Sequence, residues 1–196
     1  MDAAAASVEV VTDTGKVPVE LTGAPQTTLA TLYAKALDAD SAHPILGDRY
    51  AKQLVERIDY DWTRTSITAR TAPSVTTRSA HFDTWARQFL AVHPQAAVLD
   101  LGCGLDTRFL RLQPGPGVQW YDVDYPEVAE LRRRLHPVSA NYHIVGASVT
   151  DPGWLAGIPA DRPVLLIAEG LTMYLTEADG IGLLRRVVAH FGSGEL

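Results

Sequence analysis

The run AVLDLGCGLDTRFLRL, Ala97 to Leu112, holds the densest chemistry in the chain. An apolar stretch ends at Asp100. Gly102 and Gly104 follow, and Asp106 and Arg108 come directly after. Glycines in such a turn let the backbone bend tightly and bring its N–H groups close to a ligand with no Cβ between them. In open α/β sheets, ligands sit beyond the carboxyl ends of the strands, where the strand order reverses. The next acids at a strand end are Asp122 and Asp124, 20 and 22 residues beyond Gly102. That spacing matches an acid about 20 residues on that binds ribose hydroxyls. Asp124, with Pro126 and Glu127 after it, also suits the start of a helix, and the two roles are compatible.

The turn also discriminates among nucleoside ligands. A dinucleotide fingerprint, G-x-G-x-x-G/A, ends in a small residue over a pyrophosphate. Here the run is G-C-G-L-D-T, with Thr107 in the last place and Asp106 where phosphate charge would lie. A carboxylate is unfavourable beside a pyrophosphate. It is acceptable beside S-adenosyl-L-methionine (SAM), which has no phosphate and carries a sulfonium and an ammonium. Asp106 also suits the positive end of a helix. A nicotinamide-dependent oxidoreductase remains the rival that Thr107 and Asp106 disfavour.

These residues need strands to hold them. AAVLD (96–100), VQWYDVD (118–124), NYHIVGA (141–147) and PVLLIAEG (163–170) read as short buried strands. Between them lie helical runs: Leu105–Leu112, PEVAELRRRLH (126–136), a short one after Asp151-Pro152, and TEADGIGLLRRVVAHF (176–191), which opens with Thr176 and Asp179 at capping-box spacing. Strand alternating with helix predicts an α/β fold, an open parallel sheet with helices on both faces. Before it, apolar residues at helical spacing from Thr27 onward (Leu29, Leu32, Ala36), then Tyr50, Leu54 and Val55, then Phe82, Trp85 and Phe89, predict a helical cap. The expected layout is one domain: a loose segment over 1–26, the cap over 27–95 and the core over 96–196. SVEVV (7–11) and VPVEL (17–21) are weak strand candidates, the second confined to an edge by Pro18. Cys103 reads as a small buried residue, and the arginines at 132–134 as a solvated helix face.

VLDLGCGLDTRFLRL, WYDVDYPEV and LLIAEGLTMYL, in that order, resemble the leucine carboxyl methyltransferase-like family, specifically its bacterial branch with the tetracenomycin polyketide O-methyltransferase type. TLYAKALDADSAHPILGDRYA and ERIDYDW fit the same branch, so the resemblance spans roughly residues 17–196. It implies a SAM-dependent O-methyltransferase on a Rossmann-like, class I core, acting on a small-molecule carboxylate or hydroxyl. It also implies roles residue by residue. Arg78 would hold the cofactor's carboxylate, and Gly102 would lie against its methionine portion, with Gly104, read from the turn itself, beside the cofactor. Asp124 would bind the ribose, and Glu169 would contact the cofactor. Ser148-Val149 stand where the family usually has an Asp-Leu pair near the adenine. No catalytic residue is assigned.

The family's sheet usually has seven strands, whereas this sequence reaches GSGEL where a fifth would begin. The expectation is a core with strands one to four and later strands missing. The fourth strand is then an exposed edge open to self-association. A non-catalytic or partner-dependent SAM-binding fragment is the alternative function.

The 196 residues carry a net charge of −6 and no basic stripe, which disfavours nucleic acid. The single cysteine precludes an internal disulfide, and the six histidines show no ligand spacing, so no metal site is expected. No apolar run approaches a membrane span, and the first residues do not read as a signal peptide. Cytoplasm is the expected compartment.

Overall fold

The computed structural model describes residues 15–19, 21, 23, 26–136 and 139–196. The SVEVV candidate lies outside them. Val17–Pro18 (β1) pairs in parallel with Ile58–Asp59 (β2), a two-residue ladder that ties the segment before the cap to the cap itself. The cap helices are Thr27–Ala39 (α1), Arg49–Arg57 (α2) and Ala72–Val92 (α3). Asp48 starts α2 by accepting the Ala51 N–H at 3.0 Å. The stretch after β2 makes a 3-10 turn at Trp62–Thr65.

The main sheet contains Ala97–Leu101 (β3), Gln119–Asp124 (β4), Tyr142–Gly146 (β5), Val164–Ile167 (β6) and Gly194–Glu195 (β7). Its order is β5-β4-β3-β6-β7, with every pairing parallel. The four expected strands are present. A fifth, two residues long, adds to them: β7 pairs with Val164 and Leu165, so the fourth strand's edge is not bare. From β3 the chain steps to β4 and β5 on one side, then returns to β6 on the other. The strand order therefore reverses between β3 and β6.

The helices among these strands are Arg108–Leu112 (α4), Pro126–Leu135 (α5) and Glu177–His190 (α6). Thr176 caps α6 and accepts the Asp179 N–H at 3.2 Å, as the sequence spacing predicts. The helix expected from Leu105 begins only at Arg108, because the glycine turn occupies the residues before it. The run after Asp151-Pro152 is a 3-10 turn at Trp154–Gly157.

Period-two alternation sorts the strand residues between two cores. Ala97, Leu99 and Leu101 of β3, with Tyr121 and Val123 of β4, pack against Trp154, Leu155 and the α6 residues Leu183 and Val187. Val98 and Trp120 face the other way, against Ala86 and Phe89 of α3. A third cluster joins Leu29, Leu32 and Leu54 of the cap to Leu105, Leu131 and Leu135. Alternation also puts Asp100 and Asp122, direct partners across β3 and β4, on the Val98–Trp120 face, where Arg108 of α4 meets Asp100 and Arg132 of α5 meets Asp122.

Candidate functional site

The sheet's reversal leaves a cleft of about 320 Å³ at the carboxyl ends of β3, β4 and β6, partly roofed by α1. All seven site residues predicted from sequence line it: Arg78, Gly102, Gly104, Asp124, Ser148, Val149 and Glu169. They come from α3, the β3 turn, the end of β4, the segment after β5 and the segment after β6.

The glycine turn requires glycine at Gly104. Its φ is +54°, and a Cβ there would overlap Thr28 Oγ1 and come within 2.9 Å of Thr28 Cβ. Asp124, at the end of β4, faces this turn. Its Oδ2 accepts the Gly104 N–H at 2.7 Å, and its Oδ1 accepts the Tyr125 N–H at 2.7 Å. Each oxygen keeps a lone pair for a further donor. Burial raises the Asp124 carboxyl above the ordinary carboxylate range, and the two backbone N–H groups pull it partly back. The helix-start alternative is not realised: Tyr125 occupies the cap position of α5, and no side chain caps it.

Beneath the turn lies a buried ionic network. Arg108, 1% exposed, meets Asp83 at 2.8 Å, Asp100 at 3.2 Å, Asp106 at 3.1 Å, and Glu169. Arg111 meets Asp48 at 2.7 Å, Asp83 at 2.9 Å and Asp106 at 2.7 Å. Lys35 of α1 meets Asp106 at 2.9 Å. Glu169 also accepts from Arg78 Nε and Ser79 Oγ, each at 2.9 Å. These contacts separate the carboxylates electrostatically. Burial pushes Asp106 upward, but Arg108, Arg111 and Lys35 overcome it and hold the group well below the usual range. Glu169 is lowered in the same way, by Lys35 and Arg108 against its burial. For Asp100 burial wins: its carboxyl is raised to about 8, with Arg108 opposing and the Asp122, Asp106 and Glu169 charges adding to the rise. At neutral pH it is largely protonated.

Sequence reasoning missed several residues here. Thr28, Thr31 and Lys35 line the cleft from α1, and their spacing of three and four was a readable polar stripe. Arg132 is a correction: it is 1% exposed rather than solvated. It stands four residues after Val128 and three before Leu135, both buried, so it shares their inward side. Arg132 bonds Asp122 and meets the Tyr142 hydroxyl at 2.7 Å. Asp106, weighed above as a helix-end charge or a barrier to phosphate, is neutralised by three cations. Its argument against a phosphate ligand weakens accordingly. Ser148 Oγ is engaged with Thr150 Oγ1 at 2.8 Å. Cys103 is buried, as expected.

The charge balance of the cleft bears on which ligand fits. Asp100, Asp106, Asp124 and Glu169 line it against Lys35, Arg78 and Arg108. With Asp100 protonated, the three remaining carboxylates balance the three cations, and the pair of carboxylate oxygens at Asp124 open to hydroxyl donors fits a ribose-bearing ligand. SAM is such a ligand.

Known proteins point the same way. The leucine carboxyl methyltransferase family model matches residues 28–188. The chain is 50% identical over 176 residues to the tetracenomycin polyketide synthesis O-methyltransferase TcmP of Streptomyces glaucescens, covering 90% of this chain and 65% of that protein. It is 40% identical over 194 residues to the S-adenosyl-L-methionine-dependent methyltransferase dpfgK of Gibberella zeae, covering 91% of this chain and 64% of that one. It thus spans just under two thirds of the length of these relatives. A crystal structure of a Thermobifida fusca protein assigned to the methyltransferases superposes with a TM-score of 0.56 at 20% identity, over 83% of this chain and 63% of the other, and supports the fold. With a family match across most of its length and close relatives at this identity, the chain belongs to the leucine carboxyl methyltransferase family.

Proposed function

We propose that the cleft binds SAM and that the chain serves O-methyl transfer to a small-molecule acceptor. The observation that carries this reading is convergence: seven residues picked from separate motifs line one cleft at the sheet's reversal point. When bound, SAM supplies an activated methyl group on its sulfonium for in-line transfer. The chain's own residues bind and aim. Asp124 accepts the ribose hydroxyls on its free lone pairs. Arg78, 43% exposed and tied to Glu169 through Nε, presents its remaining N–H groups to the cofactor's carboxylate. Gly102 and Gly104 give the methionine portion close backbone approach, and Ser148 and Val149 border the adenine. Glu169 orients Arg78 and Arg108 together. Alignment of two bound reactants lowers a barrier by roughly 7–11 kcal/mol.

Among the described residues no histidine lines the cleft. A carboxylate acceptor needs no base, because it is already ionised near neutral pH. A phenol, with a pKa of about 10, benefits from a base. The relative TcmP, named for a polyketide O-methylation, is consistent with either oxygen.

The same reading treats cap and core as one domain, with α1 forming part of the cleft. It places the protein in the cytoplasm; no helix of the described residues is long and apolar enough to cross a membrane. It also leaves the outer edge of β7 open to self-association, which sedimentation would detect.

The test is calorimetric titration with SAM and NAD in parallel. The chain should bind SAM saturably, and Asp124→Ala should weaken binding by at least about tenfold, the loss of one or two charge-assisted hydrogen bonds. Equal SAM affinity in Asp124→Ala, or NAD binding without SAM binding, overturns the reading.

A further inference from the structure

The proposed function makes the glycine turn the floor of the cofactor site. One peptide of that turn is held from both edges by residues that no motif assigns. The Gly104 carbonyl and the Leu105 N–H belong to the same peptide unit. The carbonyl accepts from an Arg132 guanidinium nitrogen at 2.6 Å. The N–H donates to Thr28 Oγ1 at 2.6 Å. The Gly104 N–H, on the preceding peptide, donates to Asp124. Three elements therefore meet on this turn: the first turn of α1 in the cap, the second turn of α5, and the end of β4.

The Gly104–Leu105 peptide turns about the Gly104 ψ and the Leu105 φ, and with no Cβ on Gly104 the first of these meets little steric resistance. Rotating the Gly104–Leu105 peptide would leave a half-buried carbonyl and a buried N–H unpaired, so the two clamps resist it. Arg132 is itself fixed, because its other terminal nitrogen bonds Asp122 and the Tyr142 hydroxyl. Thr28 is fixed by its helix and is 7% exposed.

We propose that Thr28 and Arg132 are positioning residues that lock the Gly104–Leu105 peptide, and that this lock holds the Gly104 N–H and Asp124 in register for the ligand's ribose. The cap, through Thr28, then belongs to the cofactor site. The inference rests on the SAM-binding reading, and the apparent affinity scales with the fraction of molecules whose turn is in the locked state.

The experiment measures Kd for S-adenosylhomocysteine by calorimetry, and the urea midpoint separately, in the unaltered chain, Thr28→Val, Thr28→Ser and Arg132→Lys. Thr28→Val keeps the shape and removes the acceptor. Its Kd should rise on the order of tenfold, one buried hydrogen bond's worth. Thr28→Ser should return it to within about twofold. Arg132→Lys keeps the charge beside Asp122 but replaces a forked group with a point charge, and its Kd should also rise. A purely structural role for Thr28 would lower the urea midpoint of Thr28→Val and leave the Kd of the folded protein unchanged. That result, or a Thr28→Ser variant as weak as Thr28→Val, overturns the proposal. The Thr28 pair decides the matter even if Arg132→Lys does not fold. If the unaltered chain does not bind S-adenosylhomocysteine, the cofactor reading fails and this inference with it. Binding that ignores Thr28 sinks the inference alone.

Discussion

Replacing Gly104 by alanine probes the turn through its backbone. The cost has two parts. A left-handed φ of +54° costs a residue with a Cβ about 1–2 kcal/mol. The new Cβ also overlaps the Thr28 hydroxyl, so Thr28 must withdraw and the buried Leu105 N–H loses its acceptor, for about 1–3 kcal/mol more. Together these predict roughly 2–5 kcal/mol of destabilisation for Gly104→Ala. Thr28→Gly removes the obstacle, leaving only the Thr28 Cα, 3.7 Å from the added Cβ, an ordinary contact. In that background Gly104→Ala should cost only the backbone part, about 1–2 kcal/mol. Urea unfolding of the four proteins closes a double-mutant cycle, with an expected coupling of about 1–3 kcal/mol. A Gly104→Ala cost that is the same in both backgrounds refutes the reasoning, because the strain would then owe nothing to the cap.

Further outcomes follow from the ionic network. Arg108→Met strips the shared cation from Asp83, Asp100, Asp106 and Glu169 and should cost about 3–5 kcal/mol, read as a Tm drop of roughly 6–20 °C; an unmoved Tm counts against the network. Asp100 titrates near 8 in the folded chain and near 4 when unfolded, so the folded state holds an extra proton between those values. Stability from this group therefore falls as pH rises across that window, by up to about 1.4 kcal/mol per pH unit. Asp100→Asn, which imitates the protonated form, should gain on the parent protein between pH 5 and 7 in pH-resolved unfolding, and parallel curves would contradict the assignment. Asp106 and Glu169, both depressed, act with the opposite sign: their contribution is present above the unfolded carboxyl pKa and is lost as pH falls through their folded values.

The sheet was legible because its signals are local. β3 to β6 are short apolar runs bounded by turns, and each strand appeared within a residue or two of its expected limits, except that β6 stops at Ile167, short of Glu169. Gly102, Gly104 and Asp124 announced themselves by spacing, and Arg78, Ser148, Val149 and Glu169 through the family motifs. What stayed hidden is relational. Lys35 sits on a helix whose neighbours Ala34 and Ala36 are buried, and nothing local says that its partner is Asp106 across the cleft. Arg132 stands in a run of three arginines, and only packing separates the one that turns inward. Asp48 and Asp83 look like ordinary polar positions until tertiary structure brings Arg108 and Arg111 against them. The two-residue β7 is too short to carry a period.

The central place of β3 has a consequence for biosynthesis. As the chain leaves the ribosome, Ala97–Leu101 emerges ahead of both neighbours, and its second one, Val164–Ile167, arrives only after β4, α5 and β5 have been made. Arg108 likewise waits for Glu169, 61 positions downstream. Such distant pairing slows folding. In the nascent chain one side of an apolar strand stays unsatisfied through that interval, and the helices already synthesised from residues 27–92 are the material at hand to shield it.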